Sequence, residues 1–144
     1  MLRLDDVSAR LKAQMPGLEI QNAGQFARLI EGNQLPQFRQ GAFVLPGRLI
    51  GGQVQTATGM FTQTVTEGVS VVLVARVAAD PAGAKALDEI TPLIRSVVNA
   101  VCGWGPDDAP GVFALSGGEL VGSQQGVLIF QLDFSLIDQL RITP

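Results

Sequence analysis

The chain has no histidine and no tyrosine, and only one cysteine and one tryptophan among its 144 residues. Each absence removes a kind of chemistry. Without histidine there is no Ser-His-Asp or Cys-His nucleophile system, and no imidazole to hold a metal ion. A lone Cys102 allows neither an intrachain disulfide nor a cysteine-built zinc site. A reducing compartment is the simplest setting. Cys102 sits in an apolar stretch and reads as a small buried hydrophobe, since no histidine exists to activate its thiol. Charge is scarce too, at 16% of residues, with a formal net charge of −3. Lysines and arginines are scattered, whereas nucleic-acid binders concentrate them where phosphates lie. No uncharged apolar run approaches the ~18 residues of a membrane span. The start, "MLRLDDVSARLKAQ", has acids by its fifth residue and no apolar h-region, which argues against a signal peptide.

Glycine is plentiful, and its clusters need weighing. "GRLIGG" lacks the Lys-Ser/Thr ending of a phosphate loop. "SGGELVGSQQG" lies among strands, whereas a nucleotide cradle needs backbone N–H groups at a helix N-terminus. Tight turns are the favoured reading of both. Asp107-Asp108, in a Gly/Pro loop, reads as a solvated turn rather than a catalytic carboxylate pair. No cofactor or metal is expected.

What is present is a pattern of elements. Leu4, Val7, Leu11 and Met15 recur at helical steps, with Asp5 and Asp6 in the first turn and Pro16-Gly17 as the stop. "LEIQ" reads as a short strand. "NAGQFARLIEG" reads as a helix with Asn22 as N-cap, Phe26, Leu29 and Ile30 inward, and Gly32 at its end. "GAFVLP" is a strand ended by Pro46, followed by "GRLIGGQVQTATG", a mobile loop or splayed hairpin. "ADPAGAKALDEITPLIRSVVNAVCGWGP" is a long helix. Asp80 caps it, Pro81 lies in its first turn, Leu87 through Val101 keep helical spacing, and Gly103 closes it. Pro92 implies a bend or an outer-face position. "GVFAL" and "GELVG" flank a turn at Ser116-Gly117. "GVLIFQLDFSL" then completes a three-strand meander, with Leu128, Phe130, Leu132, Phe134 and Leu136 on one face. The tail "IDQLRITP" has no strong pattern. The class is α+β, a mixed or antiparallel sheet with helices packed mainly on one face, in a single domain over residues 1–144.

One strand changes character midway. In "GMFTQTVTEGVSVVLVARV", Phe61, Val65, Val69, Val71, Leu73, Ala75 and Val77 share one face, interrupted by Gln63 and Glu67. Thr62, Thr64, Thr66 and Ser70 share the other, which turns apolar only from Val72. The second half is therefore expected to be covered on both sides, and the first half to meet water or another chain. Gly68 marks a candidate bulge at the change. Trp104 reads as a core plug or an interface anchor.

In order and spacing, "VSARLKAQMPGL", "FVLP", "TQTVTEGVSVVLVAR" with "DPAG", "VCGWGP", "SGGELV" and "LIFQLDF" resemble the tail terminator proteins of long-tailed bacteriophages. The resemblance covers nearly the whole chain and rests on the combined order. It implies a structural protein rather than an enzyme: a hexameric ring on the completed tail tube that stops tube growth and offers a surface to the head. The partners it implies are identical copies, the tail tube protein and a head-completion or connector protein. DNA would pass through the bore without specific binding, which suits the missing basic patch. The place would be the virion tail or neck, reached by assembly in the host cytoplasm, with no membrane.

On that reading the apolar half of the strand is covered by the long helix, and Arg48 to Gly59 is an adaptable loop ordered only in the assembly. Subunit and tube contacts fall to Arg48, Gln53, Gln55, Phe61, Thr62, Gln63, Thr64 and Trp104. Three rival readings remain at this point: another neck or tail-completion ring protein on the head side, a small-ligand or enzymatic domain using the glycine-rich loops, and a lone soluble monomer.

Overall fold

A computed structural model of the chain describes residues 2–36, 38–77 and 84–143. The first amphipathic stripe forms helix α1 (Leu4–Gln14), with Val7 and Leu11 completely buried. Each such side chain contributes about 1.5–3 kcal/mol by leaving water. A short strand β1 (Glu19–Asn22) leads into helix α2 (Ala23–Glu31). Asn22 caps α2 as its sequence suggests. Its Oδ1 accepts from the Gln25 N–H at 2.9 Å, and the Gln25 Oε1 accepts from the Asn22 N–H at 2.8 Å. This reciprocal box satisfies two donors that the first turn would otherwise leave open.

Strands β2 (Gln40–Ala57) and β3 (Met60–Arg76) form a long hairpin. Helix α3 (Ala84–Val101) follows, then β4 (Ala114–Gln124) and β5 (Val127–Ile142). The sheet order is β1-β2-β3-β5-β4, with β1 parallel to β2 and every other pair antiparallel. The class is α+β with one mixed sheet.

Helices α1 and α3 cover one face. Val7, Leu11, Ile90, Val97 and Val101 pack there against Val69, Val71, Leu73, Phe113, Leu132 and Phe134. The opposite face holds a smaller cluster of Phe43, Val72, Val74 and Val127 under Phe26 and Leu29 of α2. Phe43 stands between Phe26 and Phe38, with ring centroids 5.0 and 5.5 Å away. Residues Val71 to Ala75 of β3 are thus buried on both sides, by two helices on one and α2 on the other.

Several sequence expectations are corrected. Pro46 does not end its strand; β2 runs on through it to Ala57. Proline is tolerated there because β1 pairs only as far as Val44, so Pro46 lies on a free edge. Of the two readings of the segment after Pro46 the hairpin holds: residues 48–57 are neither a mobile loop nor a segment awaiting the assembly. They are paired to β3 within the same chain. Ser116-Gly117 is not a turn but lies inside β4, at an irregularity between Leu115 and Gly117. The meander therefore has two strands instead of three. Its turn is Gln125-Gly126, with φ of 53° and 76°, the paired positive angles of a two-residue hairpin. The tail that showed no pattern extends β5 to Ile142.

The bulge near Gly68 is real, but the extra residue is on β2. Pro46 pairs with Val69 and Leu49 with Glu67, so Gly47 and Arg48 together face Gly68. A Cβ on Gly68 would sit 2.8 Å from the Arg48 backbone N and O, which is why only glycine fits. Pro92 takes the outer face, and α3 passes through it. Ile30 and Leu87, expected inside, are 65% and 55% exposed. Cys102 is only partly buried against the core. Gly103 follows α3 with φ 79° as expected. The proposed cap at Asp80 and Pro81 lies outside the described residues.

Candidate functional site

Beyond Glu67 the sheet leaves its helices. The outer parts of β2 (from Arg48), β3 (to Met60) and β5 (to Ile142) stay paired as a three-stranded arm. Cross-strand register sorts its side chains. Leu49, Val54, Phe61, Leu140 and Ile142 share the face that α1 and α3 cover further in. Ile50, Gln55, Thr62, Thr64, Thr66 and Ile137 share the other. Ile137 is 64% exposed, and Leu49 and Ile142 are each 50% exposed. Leu49 and Ile142 thus stand exposed on one face of the arm and Ile137 on the other.

Seven of the eight residues singled out from sequence lie on this arm: Arg48, Gln53, Gln55, Phe61, Thr62, Gln63 and Thr64. Two of them are also engaged internally. The Thr62 hydroxyl donates to the Gln55 carbonyl at 3.1 Å, and the Gln63 amide donates to the Gly52 carbonyl at 3.2 Å. These bonds brace β3 to β2, so the threonine and glutamine pattern shapes the arm as well as its surface. Trp104 is not brought to the arm. It is half-buried, stacked on Phe113 at 5.8 Å between ring centroids, with the Arg10 guanidinium 5.4 Å from its ring. Arg10 also donates to the Ala100 carbonyl at 2.9 Å, so the group ties α1 to the end of α3.

A buried charge cluster sits at the base of the arm. Arg3, directly before α1, donates to Glu67 of β3 at 3.0 Å, to Asp138 of β5 at 2.9 Å and to Asp108 at 2.7 Å. The Arg3 side chain is 7% exposed and that of Glu67 1%. Burial works against the charge on Arg3. The carboxylates of Asp138 and Glu67, with Asp108, outweigh it and hold the guanidinium pKa above its ordinary value. Asp108, read from sequence as part of a solvated turn, is a partner of this clamp. The signal in the sequence was Glu67 itself, an acid on an otherwise apolar face; nothing pointed to Arg3.

Two open hollows lie on the second face of the sheet. One, of about 560 Å³, is floored by Gly68 and Ser70 and edged by Arg48, Gln131 and Asp133. Asp133 Oδ1 accepts from the Ser70 hydroxyl at 2.6 Å and from the Gln131 amide at 3.0 Å. The other, of about 570 Å³, lies between α2 and the strands, against Phe43, Val74 and Ile129. The Ser70–Asp133 contact cross-links β3 to β5. It has no imidazole to turn the serine into a nucleophile, because the chain contains no histidine. Among the described residues no side-chain group is disposed to hold a metal ion, and no helix is long and apolar enough to cross a membrane. The glycine-rich segments that sequence assigned to tight turns are bulged strands.

The class these features define is a small α+β protein whose distinguishing feature is exposed strand surface. The sequence model of the phage tail terminator protein family matches residues 1–144, and the chain belongs to that family. No curated protein sequence matches it. Family membership makes this a structural protein of the phage tail, located in the virion.

Proposed function

We propose that the chain, acting as one domain over its whole length, closes the finished tail tube as a hexameric ring. The ring stops further addition of tube protein and presents its far surface to the head-completion or connector protein. The arm carries this reading. Its three strands are paired to one another within the subunit, yet Leu49, Ile50, Val54, Met60, Ile137 and Ile142 remain exposed. Such a surface is preformed, so an incoming copy or tube end meets it without first having to order a loop. Arg48, Gln53, Gln55, Phe61, Thr62, Gln63 and Thr64 supply its polar and aromatic contacts. Trp104 supports the arm only indirectly, through the packing of α1 on α3. The net charge of −3 suits a bore through which DNA slides without being held.

Tube protein polymerising in vitro tests the proposal. Added in substoichiometric amounts, the purified chain is expected to arrest elongation and appear by electron microscopy as extra density at one end of each tube. Tubes that grow to the same length with or without it would refute the capping role. Exclusive binding to purified connector would instead identify a head-side ring protein.

A further inference from the structure

Among the described residues the two outer edges of the sheet are open over long stretches. β4 presents its outer edge from Ala114 to Gln124. β2 presents one from Leu45 to Ala57, because β1 stops pairing at Val44. Open edges offer rows of backbone donors and acceptors to another chain, and proteins that avoid such pairing place lysines along them. Neither of these edges contains a lysine.

Three features match the two edges to each other. The first is polarity. β2 is antiparallel to β3, β3 to β5 and β5 to β4, so β4 runs opposite to β2. Placing β4 of one copy beside β2 of the next makes another antiparallel pair. The second is charge. Arg48 is the sole charged residue of the open β2 edge, and Glu119 is the sole charged residue of β4. Both belong to the second face of the sheet: Glu119 pairs with Gln131, which edges the same hollow as Arg48. Pairing β4 with β4, or β2 with β2, brings like charges together; pairing one with the other brings opposite charges together. The third is rhythm. β2 is irregular after Pro46 and after Gly51, and β4 after Leu115 and after Leu120, so the interval between irregularities is the same on both edges.

We infer that the outer edge of β4 in one copy pairs with the Leu45–Gln53 edge of β2 in the next, with Glu119 opposite Arg48. The sheet then runs on from subunit to subunit. The inference rests on the ring reading and specifies how the ring is joined. Such a contact is head-to-tail, the kind that closes into rings. The register has a geometric consequence. Arg48 lies against Gly68 of β3, while Glu119 lines up through Gln131 with Val72, four residues further along. Four residues at about 3.3 Å each, against four strand spacings of about 4.8 Å, tilt the strands by ~35°. Closed sheets tilt by about 35–45°.

Charge reversal and cross-linking test the register. Arg48→Glu and Glu119→Arg should each raise the concentration for half-assembly about tenfold or more, and the double reversal should restore it. Circular dichroism melts confirm that each variant is folded. In a Cys102→Ser background, Arg48→Cys mixed with Glu119→Cys should oxidise to heterodimers, and a chain carrying both should give a ladder of oligomers on reducing-agent-free gels. Disulfide-linked homodimers of either single variant, or rings indifferent to the charge reversals, overturn the edge pairing while leaving the ring intact. A wild-type chain that stays monomeric in solution and on tube ends overturns the ring and the pairing together.

Discussion

The Arg3 Nε donates to Glu67 Oε2 across 3.0 Å, joining the residue before α1 to the point on β3 where the sheet leaves the cover of its helices. Asp138, on the neighbouring strand β5, shares the same guanidinium. The base of the arm is therefore held by charge as well as by backbone pairing.

Arg3→Met should cost about 3 kcal/mol, because it removes the arginine partner from a carboxylate that is almost wholly buried. Asp108→Ala should cost about 0–1 kcal/mol, since the Asp108 side chain is 79% exposed and water replaces its bond. Urea denaturation of both variants checks the ordering. Equal costs would mean that Arg3 is held chiefly by Asp108.

Gly68→Ala should destabilise the fold by about 1–3 kcal/mol, since the new Cβ would press on the Arg48 backbone and force the bulge apart. Gly117→Ala, inside the other bulged edge strand, should be nearly neutral, because a Cβ there meets nothing within 4 Å. Thermal melts of the two variants decide whether close approach or a general demand for glycine operates in these strands.

Alanine at Thr62, Gln63 and Thr64 should weaken assembly and leave the helical core folded. The lost Thr62–Gln55 and Gln63–Gly52 bonds should also loosen the arm, each by about 0.5–1.5 kcal/mol. Sedimentation velocity reads the first effect, and amide exchange confined to residues 48–66 reads the second. A matching loss of protection across α3 would place these residues in the global fold instead.

Trp104→Ala should lower stability by about 2–3 kcal/mol, less than the about 3–5 of a fully buried aromatic, without a separate effect on assembly. Its stacking on Phe113 and contact with Arg10 are internal. A variant as stable as wild type that fails to form rings would restore Trp104 to the interface.

At the surface, Arg39 beside Glu89 holds the Glu89 carboxyl below its usual pKa, against the opposing effect of burial. A depressed folded-state pKa contributes stability that is present above the unfolded value and lost as pH falls through the folded one. Glu89→Gln should therefore lower stability slightly near neutrality and flatten the acid-side slope, with the difference from wild type vanishing below the folded-state pKa of Glu89. Urea midpoints across pH, at low salt, measure it.

Much of the architecture was legible in the sequence because helices and buried strands carry strong periodicity. Val7 and Leu11, the Asn22 cap, and the switch from threonine to valine in β3 all announced their places. The edge strands did not. "GRLIGGQVQTA" and "SGGELVGSQ" contain bulges, each of which slips the alternation by one residue and erases the period of two. Their glycines then read as turns. The end of β5 was hidden for a related reason: Ile137, Gln139 and Arg141 face the open side of the arm, so no burial pattern marks them. Seven of the residues chosen for the candidate site fall together because the same polar-to-apolar switch that was read in β3 marks the arm. Arg3 escaped because an ion pair between residues so far apart in sequence leaves no local trace.

The most direct test is the length of phage tails assembled without this protein. Electron micrographs should show tubes that overrun the normal length and vary widely, with uniform length restored by adding the purified chain. Tails of normal, uniform length in its absence would contradict the account.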